Sequence, residues 1–439
     1  MQGGGSEGTE GMSKSSKIIK PKDFRKHPFW FRYMNYLWEK SYKLGGKPSL
    51  EKNELIAAAR KETGLSQLGK DFWDEPLERL LQSLNEEAEL HPIGYFISRK
   101  RIINLLSVRL RAEQLFRKHP GILDQEILPT MVIIGLQRTG TTKLHRLLTA
   151  DPENRVLRSW EAINPVPFHS GLRKKDRRVR TARTSEKALR LIAPGFFAIH
   201  PVEFTAPEED ILLLDVTFLS TTPEATAHVP TYAAWLETID QSYAYEYGGK
   251  LLKLLQWQHP GKRWILKSPH HLEFLPLIEK HFNRPRFLWT HRHINECIPS
   301  FLSMVSYSRS IFSNQVSLQG VADHWTRKTS YMLEQGISFR NQPGKSELFL
   351  DILYQDLVRQ PMDQLQRIYQ FFGEPPDSLR DHFLRAETEN PYGKYGIHEY
   401  SYEDFNLGPE DLAQRNSAYM NLWNELSKSG INGTYSHPS

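Results

Sequence analysis

The stretch MVIIGLQRTGTTKLHRLL, residues 131–148, constrains this chain more than any other. A short β-branched run, MVIIG, ends on glycine. A polar Gly/Thr loop and then a helical pattern follow at once. Gly135 and Gly140 stand at the GxxxxG spacing of phosphate-binding loops. A strand–loop–helix of this kind aims the orphan amides and the dipole of a helix N-terminus at one spot, which makes an anion site. Thr141 and Thr142 add hydroxyl donors at the first turn. An ordinary strand–turn–helix with a capping threonine would not call for Gly, Arg, Thr, Gly, Thr and Thr together.

Similar short strands recur at RWILK (263–267), RFLWTH (286–291) and ELFLDIL (347–353), each followed by a helical segment. Strands alternating with helices predict an α/β fold, a P-loop-type central parallel sheet flanked by helices. Residues 126–439 read as this α/β domain, with a helical insertion at about 180–258 between the first two clear strands. Residues 24–125 read as a helical N-terminal arm. In it Ser49 caps a helix that Gly64 stops, and further helical patterns cover 74–90, 93–105 and 107–117. The segment FRKHPFWFRYMNYLWEKSY (24–42) is aromatic and basic. It is expected to be a helix packed on the body, with a membrane-surface or lipid-substrate face as the minor alternative. Residues 1–23 are expected to be a disordered tail, Gly/Ser/Glu-rich over 1–16, and Met12 is a candidate natural start.

The charge balance, 57 Lys and Arg against 51 Asp and Glu, is a mild +6. It excludes a polyanion coat but allows a local pocket for a small anion. No run approaches a transmembrane helix, and the N-terminus has no apolar core of a secretory signal. Cys297 is the single cysteine, so neither an internal disulfide nor a cysteine-based zinc site can form. The expected compartment is a reducing cytoplasm.

The loop departs from that of a nucleoside triphosphatase. A Walker loop carries Lys directly after its second Gly and then Ser or Thr for magnesium. Here Thr141 follows Gly140, and the cation, Arg138, lies inside the loop. That suits a single phosphate-like group gripped by a planar guanidinium, with no obligatory metal. A second anion element is expected where RFLWTH ends: Arg292 at the strand's carboxyl end and Ser300, eight residues on, along a helix over 294–310. The two elements together predict one nucleotide with phosphates at two positions. A P-loop kinase or NTPase is the alternative.

These residues resemble those of 3′-phosphoadenylyl-sulfate-dependent sulfotransferases, in the bacterial-type branch whose loop reads PRSGTT or PRTGTT. Here the loop is QRTGTT, with Gln137 in place of the proline. LKSPHH (266–271), THR (290–292) with Ser300, YQDLVRQP (354–361) and HEYSYEDF (398–405) fall in the family's order, and LQSLNEEAELHPIGYF before the loop is similar too. The likeness spans roughly residues 55–430. It implies that Arg138, Thr139, Gly140, Thr141 and Thr142 bind the 5′-phosphosulfate, and that Arg292 and Ser300 bind the 3′-phosphate. Tyr354 would lie by the nucleotide, and Lys394, in GKYG, in a C-terminal loop over the 3′-phosphate. The implied reaction moves a sulfonate group from 3′-phosphoadenylyl sulfate to a hydroxyl of a small-molecule acceptor, apolar or phenolic. Adenosine 3′,5′-bisphosphate leaves, and no metal or nucleic acid takes part.

In-line displacement at sulfur needs cations near the bridging oxygen and a base for the acceptor's proton. Arg138 is the first cation and Lys267, ending RWILK, the second. Glu161, 23 residues after Arg138, is the first candidate for the base, as in tyrosylprotein and heparan-type relatives. His271 is the second and His270 the third. His200, Glu208 and Glu209 are expected to wall the substrate pocket rather than bind metal. The basic run 172–183 is expected to be a solvated helix face.

Overall fold

Burial on both faces is what the five short strands need, and their residues supply it by alternation. The computed structural model describes residues 27–70, 72–168, 176–199, 203–373, 380–389 and 402–429. Its sheet is formed by β1 (Thr130–Ile134), β2 (Asn154–Val156), β3 (Arg263–Lys267), β4 (Arg286–His291) and β5 (Phe349–Leu353), in the order β2-β3-β1-β4-β5. Every pairing is parallel. Val132 and Ile134 of β1, Trp264 and Leu266 of β3, and Phe287 and Trp289 of β4 enter one apolar core. Met131, Ile133, Ile265 and Leu288, the residues between them, enter the other. A period of two with apolar residues on both sides is the pattern of a sheet covered by helices on each face.

β2 is the strand that the sequence pattern does not show. Its three residues, NRV, carry no apolar run, and it pairs with β3 alone at the sheet's edge. Helix α1 (Phe29–Ser41) opens the described chain, followed by α2 (Lys52–Thr63), α3 (Asp74–Glu86) and α4 (Pro92–Lys118). The two segments expected at 93–105 and 107–117 are one helix, because nothing at Leu106 breaks it. Ser49 does not cap α2 itself. Its hydroxyl accepts from the Glu51 amide in the turn before, and the helix starts at Lys52. Gly64 ends it in the left-handed conformation, φ +69°.

Helix α5 (Thr141–Leu148) follows β1, α6 (Ser159–Ile163) follows β2, and α7 (Arg178–Ile192) and α8 (Ser242–Gln258) lie between β2 and β3. α9 (Ile294–Ser310) and α10 (Leu318–Arg340) connect β4 to β5, and α11 (Tyr354–Arg359) starts where β5 ends. Among the described residues no helix is long and apolar enough to cross a membrane.

The order of strands places the site. From β1 the chain turns to one side for β2 and β3 and to the other for β4 and β5. Ligands of open α/β sheets bind in the crevice at the carboxyl ends where that reversal occurs. The loop after β1, Lys267 of β3, Arg292 after β4 and Tyr354 after β5 all stand at those ends.

Candidate active site

The loop after β1 holds its shape by backbone conformations that ordinary residues avoid. Gly135 has φ +127°, and a Cβ there would collide with the Thr290 carbonyl and hydroxyl of β4. Gly140 has φ +95°, and a Cβ would come within 2.9 Å of the Tyr354 ring. Arg138 lies between them with φ +72°, a left-handed conformation that costs a non-glycine residue energy. Thr139 is buried. Its hydroxyl donates to the Leu136 carbonyl at 2.6 Å and lies 2.7 Å from the Thr290 hydroxyl, so its side chain ties the loop to β4. Any contact of Thr139 with a ligand is left to its amide. Thr142 at the start of α5 is exposed, and Thr141 beside it is buried.

The two expected anion elements are joined. Arg138 donates from Nε to the Ser300 hydroxyl of α9 at 3.0 Å. Arg292 donates from Nη1 to the Arg138 carbonyl at 3.1 Å and from Nε to Glu296 at 2.8 Å. Its guanidinium also lies 4.4 Å from the centre of the Tyr354 ring. Arg138, Arg292, Ser300 and Tyr354, drawn from three strand ends and one helix, therefore form one constellation. Lys394 lies outside the described residues, as does His200.

A cavity of about 190 Å³ opens beside this constellation. Arg138, Gly140, Thr141, Thr142, Arg292 and Tyr354 line it, with Pro269 and Met304 as apolar wall. Glu209 also lines it, and its carboxylate lies 2.6 Å from Nζ of Lys267, which is buried at the end of β3. The next residue, Asp210, accepts from the Lys267 amide at 2.9 Å and from His271 Nε2 at 2.7 Å. Burial works to raise the Asp210 carboxyl, but the His271 ring and the amides around it outweigh that and leave it below the usual range.

The three candidates for the base fall elsewhere. Glu161 is buried against Arg155, with both oxygens in a two-pronged pair at 2.6 and 2.9 Å, and it also accepts from the Arg158 amide. It does not line the cavity. His271 has both ring nitrogens engaged, Nε2 by Asp210 and Nδ1 by the Tyr245 hydroxyl at 2.9 Å. It anchors the turn after β3. His270 packs on Phe274 with its Nδ1 3.4 Å from the Thr221 hydroxyl. Burial, then the His271 and Lys328 charges, press its pKa well below 6.5, which leaves a neutral ring off the cavity wall.

Glu209, expected as pocket wall within AIHPVEFTAPEED, lines the cavity and also pairs with Lys267. Its position 58 residues before Lys267 gives no local sign of the pairing. Asp210 had no sign at all beyond standing next to it. Cys297, expected to be a small buried residue, is fully buried, and burial pushes its thiol up to about 12.

The profile of the sulfotransferase family matches residues 129–378, more than half of the chain. This chain belongs to the sulfotransferase family. Among solved structures, it is similar to sulfotransferase STF1 from Mycobacterium tuberculosis at 28% identity and a TM-score of 0.73, covering 85% of this chain and 100% of that one. Sulfotransferase STF9 from Mycobacterium avium shares the fold at 24% identity and a TM-score of 0.77, covering 85% of this chain and 97% of that one. A comparison with curated proteins gave no match. The matched span includes the loop after β1, Glu209, Lys267, Arg292, Ser300 and Tyr354.

Proposed function

We propose that this sulfotransferase uses 3′-phosphoadenylyl sulfate and transfers its sulfonate group to a hydroxyl of a small alcohol or phenol. The observation that carries the reading is the single cavity into which the β1 loop, Arg292 and Glu209 all open. The residues present fit the nucleotide. A loop with no room for a Cβ at Gly140, two guanidiniums and two threonines make a donor-rich cradle for two separate phosphates. When bound, the nucleotide supplies the sulfonate group on a good leaving group, adenosine 3′,5′-bisphosphate.

The amides of Thr139–Thr142 and the Thr141 and Thr142 hydroxyls hold the 5′-phosphosulfate. Arg138 offsets the charge that develops at the bridging oxygen. Arg292 and Ser300 hold the 3′-phosphate, and the Tyr354 ring, stacked under Arg292, fixes that guanidinium in place. Lys267 is the second cation. Glu209 takes the acceptor's proton: the acceptor oxygen bonds to sulfur, the bond from sulfur to the bridging oxygen breaks, and the proton ends on the Glu209 carboxylate. Pro269 and Met304 supply the apolar surface for an apolar or phenolic acceptor. A single inert, buried thiol is in keeping with a reducing cytoplasm. Lys394 remains the expected closing contact over the 3′-phosphate.

The P-loop kinase alternative lacks its lysine. The nearest one, Lys143 on α5, is paired with Glu387 at 2.5 Å. Transfer of labelled sulfate from 3′-phosphoadenylyl sulfate to a panel of alcohols and phenols, with divalent metal chelated, tests the proposal. A labelled ester that disappears with Arg138→Ala supports it. Phosphoryl transfer from Mg-ATP with no sulfate transfer overturns it.

A further inference from the structure

Helix α1 is held firmly on one side and bare on the other. Phe31 and Asn35 are its buried residues. Phe31 meets the His91 ring edge-on at 5.3 Å, and the Asn35 side chain accepts from the Ile93 amide at 2.9 Å. Just before the helix, His27 Nε2 bonds the Ser310 carbonyl at the end of α9 at 2.8 Å. Successive helical residues turn by about 100°, so Phe29, Trp30, Tyr33, Tyr36 and Leu37 fall on one arc opposite Phe31 and Asn35. All five are exposed, Phe29 by 75%, and Leu44 in the turn that follows is 89% exposed.

A contiguous aromatic and apolar surface of this kind marks an interaction site. Its charge is one-sided. Arg32, Lys40, Lys43 and Lys47 are exposed around it, and its one acid, Glu39, is paired with Lys43 at 2.9 Å. Lys40 lies 4.5 Å from the centre of the Tyr36 ring, its stem along the aromatic surface. The sequence just before adds to this. Residues 14–47 carry ten Lys and Arg against two acids, a net +8 that exceeds the +6 of the whole chain.

We propose that the outer face of α1, with the turn at Leu44, docks this enzyme on an anionic lipid bilayer. Trp, Tyr and Phe favour the headgroup boundary, and flanking Lys and Arg are drawn to anionic headgroups. A bilayer needs no matching groove, which suits side chains that project far into solvent, as Phe29 and Leu44 do. A symmetric pair of copies would bring two such patches together and set like charge against like. The helix lies along the surface without crossing it.

Flotation of the full chain with vesicles of phosphatidylcholine, with and without phosphatidylserine, tests this without nucleotide or acceptor, so its outcome is independent of the catalytic proposal. The expected result is binding at least about tenfold tighter to the phosphatidylserine vesicles, lost at high salt. Phe29→Ser, Trp30→Ser and Leu37→Ser combined should weaken it by about tenfold or more. Thermal midpoint and transfer to a water-soluble acceptor should not change. Lys40→Glu, Lys43→Glu and Lys47→Glu combined should erase the preference for phosphatidylserine. Equal binding to both vesicles, binding untouched by both sets, or a dimer broken by the first set without vesicle binding would each overturn the proposal.

Discussion

Two glutamates each meet a buried cation, and their surroundings set them apart. Glu161 and Arg155 form a two-pronged pair with side chains 2% and 8% exposed, closed further by the Arg158 amide and by the Trp264 ring, 4.7 Å from the guanidinium. Glu209 meets Lys267 at 2.6 Å; the lysine side chain is 4% exposed, but the glutamate is 26% exposed and faces a cavity. A planar guanidinium occupies both oxygens of its partner, whereas an ammonium is a point charge that can turn to another anion. The first pair is shut off from solvent and the second opens onto a cavity, the arrangement that the proposed exchange of partners on ligand binding requires. Residue type alone therefore does not set the two apart; what distinguishes them is whether the carboxylate has a cavity in front of it.

The comparison can be broken by exchanging roles. Glu209→Gln should lower kcat by about 10²–10⁴-fold, the range of a lost general base, while affinity for adenosine 3′,5′-bisphosphate stays within a few fold. Steady-state kinetics beside calorimetry checks both. Glu161→Gln should act on stability instead. It leaves the buried Arg155 without its counter-charge, at a cost of about 3–5 kcal/mol in denaturant melts, and kcat per folded molecule should not move. A large fall in kcat from Glu161→Gln with unchanged stability would reverse the assignment.

Two buried, neutral histidines give a smaller effect. Burial, then the charge of Lys267, holds His145 down to about 3, and His270 also lies well below 6.5. Each ring takes up a proton on unfolding below about pH 6.5 but not while folded. Their contribution is thus fully present above that pH and is lost as pH falls, by about 1 kcal/mol per unit for each. Thermal midpoints from about pH 7.5 to about pH 5.5 should fall, and His145→Gln should flatten the slope. Least of all, Ser300→Ala removes the neutral partner of Arg138 and should weaken bisphosphate binding about five- to tenfold.

The parts of this molecule legible in the sequence are those whose signals are local. The loop after β1 could be read because its glycines must sit where a Cβ would strike Thr290 and Tyr354, and because a β-branched strand precedes it. Lys267, Arg292 and Tyr354 could be read because strand ends in a parallel sheet share one edge. β2 could not, since an edge strand of three residues with one apolar member has no period to detect. Nor could the pairing of Glu209 with Lys267, since its partner comes from a distant strand. Nor does the spacing of Glu161 from Arg138 show its pairing with Arg155, six residues upstream. Pairings between distant segments are set by packing, and a single sequence carries no local mark of them.

Titration calorimetry of the wild-type chain with adenosine 3′,5′-bisphosphate and, separately, with Mg-ATP tests the central claim most directly. One tight site for the bisphosphate without magnesium, weakened at least about tenfold in both Arg138→Ala and Arg292→Ala, is the result expected of one nucleotide held by two joined cradles. Heat from Mg-ATP alone, or bisphosphate binding indifferent to both arginines, would contradict it.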